Sequence, residues 1–153
     1  NVNDIHRLSD FPGLKHLEIA AANVSDLSPL IDLTQLQHIS ISQNPVADLT
    51  PIRRNTNLKR LYAYSTKVST IAPLNELSLL ENVSLGDTPI QDVAPLSNHS
   101  NLKFLDISRT KVTSIEPLYG LKLLETLDLT GTAIPDDQIE VFQQANPGCQ
   151  ILR

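Results

Sequence analysis

Prolines set the ruler of this chain. Pro29, Pro51, Pro73, Pro95 and Pro117 stand 22 residues apart without exception, each followed by Leu or Ile (Leu30, Ile52, Leu74, Leu96, Leu118). Cutting at that interval gives five whole units, 14–35, 36–57, 58–79, 80–101 and 102–123, with a partial unit at 1–13 and a modified last unit with its tail at 124–153. A fixed period of this length means that one structural unit is copied along an axis, and that stacking must bury what no unit buries alone. Within each unit positions 1, 4, 6, 11, 14 and 17 are apolar, as in Leu14, Leu17, Ile19, Val24, Leu27 and Leu30. Only positions 3 to 7 alternate with the period of two that a strand requires, turning 4 and 6 inward and 3, 5 and 7 outward. Stacked units then pair these strands in parallel, about 4.8 Å apart.

The return path explains the proline, whose fixed φ suits the first turn of a short helical segment. Ser28 and Thr50 beside it, or Asp26, Asp48 and Asp92 three residues before it, are the candidates to cap that turn. Upstream, Val2, Ile5, Leu8 and Phe11 continue the register at positions 11, 14, 17 and 20, so all four are expected to face inward. The chain then starts in mid-repeat, and further N-terminal sequence is expected in the parent protein. Downstream, "PDDQIEVFQQANPG" reads as a helix: Asp136 or Asp137 suits its N-terminus, Ile139 and Phe142 share a face, and Asn146, Pro147 and Gly148 stop it. Cys149 and Ile151 are expected to form a last short strand.

Composition narrows the partners. Twelve basic against 17 acidic residues give a net charge of −5, which argues against affinity for nucleic-acid backbones or anionic membranes. A single cysteine, Cys149, excludes an internal disulfide, and no apolar run approaches the roughly 20 residues of a membrane span.

The pattern L-x-x-L-x-L-x-x-(N/T)-x-(V/I)-x-x-(L/I)-x-P-L resembles the 22-residue leucine-rich repeat of bacterial internalin-like proteins, over essentially the whole chain. The resemblance implies a single α/β repeat solenoid over 1–153, with parallel strands on a concave face, short helical turns on the convex face and a C-terminal capping helix. It also implies a role in binding other proteins. The chain departs from the family pattern at position 9. There the usual asparagine appears only as Asn44, while Thr66, Thr88, Thr110 and Thr132 occupy four rungs and Ala22 another. A threonine hydroxyl bonds locally with less reach, so a weaker ladder is expected. A longer order is superimposed. Position 20 reads Leu33, Asn55, Leu77, His99, Leu121, and Pro45 and Pro89 alternate with Lys67 and Lys111 at position 10, as if units came in pairs of 44 residues. Looser convex packing is expected at Asn55 and His99.

Columns across the sheet locate candidate chemistry. Position 3 runs His16, His38, Arg60, Asn82, Phe104, Thr126; position 5 runs Glu18, Ser40, Tyr62, Ser84, Asp106, Asp128; position 7 runs Ala20, Ser42, Tyr64, Gly86, Ser108, Thr130. Two imidazoles and a carboxylate can hold zinc, but the angle of a third ligand does not follow from spacing, and His16, His38 and Glu18 are read as solvated polar residues. Ser40 near His38 lacks an orienting carboxylate and an oxyanion hole. Arg53 and Arg54 are read as solvated charge on the convex turn. Neither a catalytic residue nor a cofactor is expected.

Tyr62, Tyr64 and Phe104 put half of the chain's six tyrosines and phenylalanines on the strand face, and interfaces concentrate affinity in Tyr, Trp and Arg. The expected partner-binding set is Arg60, Tyr62, Tyr64, Phe104, His38 and Asp106, with Ser84 and Gly86 as a shallow floor. Arg60 is expected to meet a carboxylate, and Asp106 and Asp128 a basic segment. The competing geometry has Tyr64 turned inward over Ala63, which stands where other repeats carry Leu or Ile. The expected function is a monomeric, non-catalytic protein-binding module. The alternatives are a substrate-recognition domain of a larger bacterial effector or enzyme whose catalytic part lies outside this chain, and a structural spacer. Cell surface, secreted and cytoplasmic locations all stay open.

Overall fold

The computed structural model describes residues 3–153, so the inward placement of Val2 falls outside the described residues. Seven three-residue strands form one parallel sheet in chain order: β1 (His16–Glu18), β2 (His38–Ser40), β3 (Arg60–Tyr62), β4 (Asn82–Ser84), β5 (Phe104–Asp106), β6 (Thr126–Asp128) and β7 (Gln150–Leu152). Neighbours pair at equivalent repeat positions, His16 with His38, His38 with Arg60 and onward to Asp106 with Asp128. The strands are shorter than the alternating span, yet the ladder continues beyond them. Ile41 N–H donates to the Tyr62 carbonyl, Ala63 N–H to that of Ser84 and Ser65 N–H to that of Gly86, at 2.8–2.9 Å. Position 7 therefore keeps the register of the strand.

What ends β1 to β6 is a left-handed residue at position 8: Ala21, Gln43, Ser65, Asp87, Arg109 and Gly131, with φ between 52° and 71°. Only the last of these is the residue that adopts such a φ without cost. The chain returns through 3-10 turns, Ser28–Leu30, Thr50–Ile52, Ala72–Leu74, Ala94–Leu96 and Glu116–Leu118, each with the repeat's proline as its middle residue. Of the two capping possibilities the aspartates prevail. Asp26, Asp48 and Asp92 accept the N–H groups of Ser28, Thr50 and Ala94 at 2.8 Å. Hydrogen bonds from the Ser28 N–H and hydroxyl hold the Asp26 carboxyl below its ordinary range.

Between sheet and turns the Leu, Ile and Val columns form one continuous buried cluster from Ile5 to Cys149. Helix α1 (Asp136–Ala145) closes it, burying Ile139 and Phe142, and the Tyr119 ring packs 6.3 Å from that of Phe142. Asn146 ends α1, its amide donating to the carbonyls of Phe142 and Tyr119. Among the described residues no helix is long and apolar enough to cross a membrane.

Two expectations are corrected. Phe11 is 58% exposed rather than inward: it follows a five-residue 3-10 turn, His6–Asp10, that contains no proline, where the later units turn in three residues around one. Asn55 and His99 do not loosen the convex side, because position 20 lies inside it. They are 0% and 1% exposed, and their side chains donate to the carbonyls of Leu33 and Leu74 in the preceding unit.

The 44-residue alternation has a counterpart in these bonds. Asn57 and Asn101 likewise donate backward, to the carbonyls of Thr34 and Ser78 at 2.9 and 3.0 Å. Lys67 and Lys111 donate their N–H groups to the carbonyls of Val46 and Ile90. Pro45 and Pro89 have no N–H to do so. Even units thus grip the preceding odd unit through position 20 and 22 side chains, and odd units grip the preceding even one through the position 10 backbone.

Position 9 behaves as its chemistry dictates. Asn44 reaches into the preceding unit, accepting from the Ala22 and Val24 N–H groups at 3.1 and 2.9 Å and donating to the Ile19 carbonyl at 2.7 Å. Thr66, Thr88 and Thr110 each donate only to the carbonyl three residues back, at 2.5–2.9 Å.

Candidate functional site

The outward side chains of β1 to β6 gather into two clusters, one on each side of Tyr62. In the first, His16, His38 and Arg60 are register partners on adjacent strands. The ring centroids of His16 and His38 lie 6.1 Å apart, and those of His38 and Tyr62 lie 5.4 Å apart in an edge-to-face arrangement. Glu18 Oε1 stands 3.5 Å from His38 Nε2. Burial between these neighbours lowers the His38 pKa, with Arg60 and His16 acting in the same direction and Glu18 against it. Arg60 is exposed and belongs to no ion pair among the described residues. Nor, among the described residues, do any three His, Cys, Asp or Glu side chains stand where they could hold a metal ion.

The second cluster settles the geometry of Tyr64. Ala63 is fully buried in the core and Tyr64 does not fold over it. Its hydroxyl accepts a hydrogen bond from Arg109 Nη2 at 2.7 Å, with the guanidinium carbon 5.8 Å from the ring centroid. Both tyrosines are half-buried. Between them and β5 lies a polar floor. Asp106 accepts from Ser84 Oγ at 2.7 Å through one oxygen, and from the Ser108 N–H and hydroxyl at 2.9 and 2.7 Å through the other. Ser84, Asp106 and Ser108 are all buried, and Gly86 lies so close that a β-carbon on it would meet Ser108 Oγ at 2.6 Å.

The six sequence candidates therefore divide. Arg60, Tyr62, Tyr64 and His38 form one neighbourhood at β2 and β3, and Phe104, half-buried on β5, flanks the floor. Asp106 is corrected from a presented carboxylate to a buried one with both oxygens engaged. Asp128, half-buried with one oxygen on the Thr130 N–H at 2.9 Å, keeps the more open carboxylate of the pair. Arg109 was missed, because it follows the alternating positions and its reach back over two rungs to Tyr64 leaves no trace in spacing.

The fold has counterparts among solved structures. The model of the family "Leucine Rich repeats (2 copies)" matches residues 100–143. The crystal structure of an internalin, InlF, of Listeria monocytogenes superposes with a TM-score of 0.91 at 26% identity, over 99% of this chain and 44% of the internalin. Internalin C2 of the same species gives 0.85 at 27% identity, over 94% of this chain and 62% of its own. A leucine-rich-repeat protein of Leptospira interrogans, 19% identical, shares the fold with a TM-score of 0.86 over 94% of this chain and 38% of its own. The chain thus spans less than two thirds of each of these proteins. No curated protein matches it by sequence. None of these likenesses indicates a catalytic family.

Proposed function

Starting from an internalin-like leucine-rich-repeat chain, we propose that it is a non-catalytic module that binds a protein partner on the open face of its sheet, the concave side in solenoids of this kind. One observation carries this reading. In a chain with only 4% aromatic residues, Tyr62, Tyr64 and Phe104 are half-buried on the middle rungs of the strand face beside Arg60, which is exposed and in no ion pair among the described residues. A core-only role leaves that placement without a cause. Aromatic anchors with a bidentate cation are the side chains on which interfaces concentrate affinity, and the hydrogen-bonded floor beneath them holds the patch rigid, lowering the ordering cost of association.

The test is a double substitution, Arg60→Ala with Tyr62→Ala, in a chain used to capture its partner and then titrated against the recovered protein. Truncating anchors of this kind costs about 2 kcal/mol or more each, so affinity is expected to fall by two orders of magnitude or more while thermal unfolding stays within a few degrees. Unaltered affinity would sink the proposal.

A further inference from the structure

Resting on that sheet-face reading, we propose that the partner presents a segment rich in Asp and Glu to the row His16, His38 and Arg60, and that His38, packed between the other two, makes its binding proton-linked, tighter in mildly acidic solution. Charge placement carries the argument. On a chain of net charge −5, the position 3 column holds three nitrogen bases in succession and no acid. Lys15 and Lys59 precede His16 and Arg60 by one residue. The acids that face this row are few: Glu18, 76% exposed at its side chain, lies against His38, and Glu81 is held by Lys59 at 3.3 Å. Arg60 has no partner among the described residues. A basic segment would be repelled by Arg60 and, in acidic solution, by protonated His38, which makes an acidic one the complementary occupant. Tyr62, its ring centroid 5.4 Å from that of His38, supplies the apolar contact beside it.

The same packing makes His38 a proton sensor. In the free protein His38 resists protonation, because it is partly buried and stands beside Arg60 and His16, with Glu18 alone opposing. An arriving carboxylate reverses that balance and favours the imidazolium. The pKa is then higher in the complex than in the free chain. Binding is therefore strongest below the free value and is lost as pH rises through the bound one. A rise of about one unit on a single histidine tightens binding roughly three- to tenfold between about pH 7.5 and about pH 5.5.

The experiment pans phage-displayed random peptides on the intact chain at about pH 6, within the titration range of an ordinary histidine. Enriched peptides are then titrated against the wild type, Tyr62→Ala, and the double variant His16→Gln with His38→Gln. Expected are peptides with Asp or Glu beside an aromatic or aliphatic residue, released by Tyr62→Ala, that tighten on acidification for the wild type and lose that pH response in the histidine variant. The His38 ring-proton titration followed by NMR is expected to move up in pH when such a peptide is added. Neutral or basic peptides that still depend on Tyr62, or acidic ones with a flat pH response, would overturn this proposal and leave the sheet-face reading standing. Failure to enrich any peptide that Tyr62→Ala releases would overturn both.

Discussion

At Gly86 the absence of a side chain is what lets the polar floor form. A β-carbon there would stand 2.6 Å from Ser108 Oγ and 2.7 and 2.8 Å from the two Asp106 oxygens. Those atoms are the ends of side chains, but they are not free to yield, since Asp106 holds Ser84 Oγ and two donors of Ser108 at 2.7–2.9 Å in a buried setting. Gly86→Ala is therefore expected to cost about 1–3 kcal/mol of stability by overpacking, seen as a lower Tm. Gly120→Ala, with nothing within 4 Å of its new carbon, is expected to change stability by less than about 0.5 kcal/mol; equal effects of the two would defeat the argument. The sequence showed Gly86 as small and placed Asp106 on the strand face, but not that its carboxylate is buried there. It did not show that Ser84, in register on the neighbouring strand, and Ser108, two residues on, would each donate to Asp106. Either serine alone is an ordinary polar residue of a strand face, and only the register makes them a set.

At the scale of the element, the ladder between units is where residue chemistry becomes repeat stability. Asn44 satisfies the buried Val24 N–H as well as that of Ala22, whereas Thr66 in the next unit bonds only its own Ala63 carbonyl. Asn44→Thr should convert the first kind of rung into the second, leaving donors of the preceding unit without a partner at about 1–3 kcal/mol. The expected readout is faster amide hydrogen exchange at Val24 with exchange at Leu105 nearly unchanged; uniform acceleration would mean that the effect is global rather than one of the rung. Strand positions, proline turns, the capping helix and the special status of position 9 were legible because each follows from periodicity or from one residue's donors and acceptors. The left-handed step at position 8 was not. It is filled by Ala21, Gln43, Ser65, Asp87 and Arg109 with φ of 52–58°, residues that carry no common signature, so the geometry is imposed by the ladder on either side and not by local preference.

Across the whole molecule the units alternate in how they hold one another, and that alternation gives the solenoid a built-in acid sensitivity. Position 20 is leucine in odd units, but His99 occupies it in the fourth, 1% exposed and with Nε2 3.1 Å from the Leu74 carbonyl. A carbonyl only accepts, so Nε2 carries the proton of the neutral ring and donates it. Nδ1 is left facing no partner, and a second proton there would be buried without an acceptor. Burial accordingly lowers the His99 pKa below the ordinary histidine value of 6.5, despite the opposing hydrogen bonds to backbone. The unfolded chain takes up that proton as pH drops through about 6.5 while the folded chain refuses it. Stability from this group is thus complete above that pH and is lost progressively below it, until the folded-state pKa is reached. His99→Leu, which copies Leu77 and Leu121, removes the titration along with the orphaned nitrogen. It also forfeits the bond to Leu74, worth about 1 kcal/mol. Urea unfolding is expected to find the variant within about 1 kcal/mol of wild type near neutral pH, and increasingly more stable than wild type as the solution is acidified. His6, His16 and His38 are present in both proteins, so the difference between the two pH profiles isolates His99. Parallel profiles would show that the buried imidazole is not the group that couples this stack of repeats to pH.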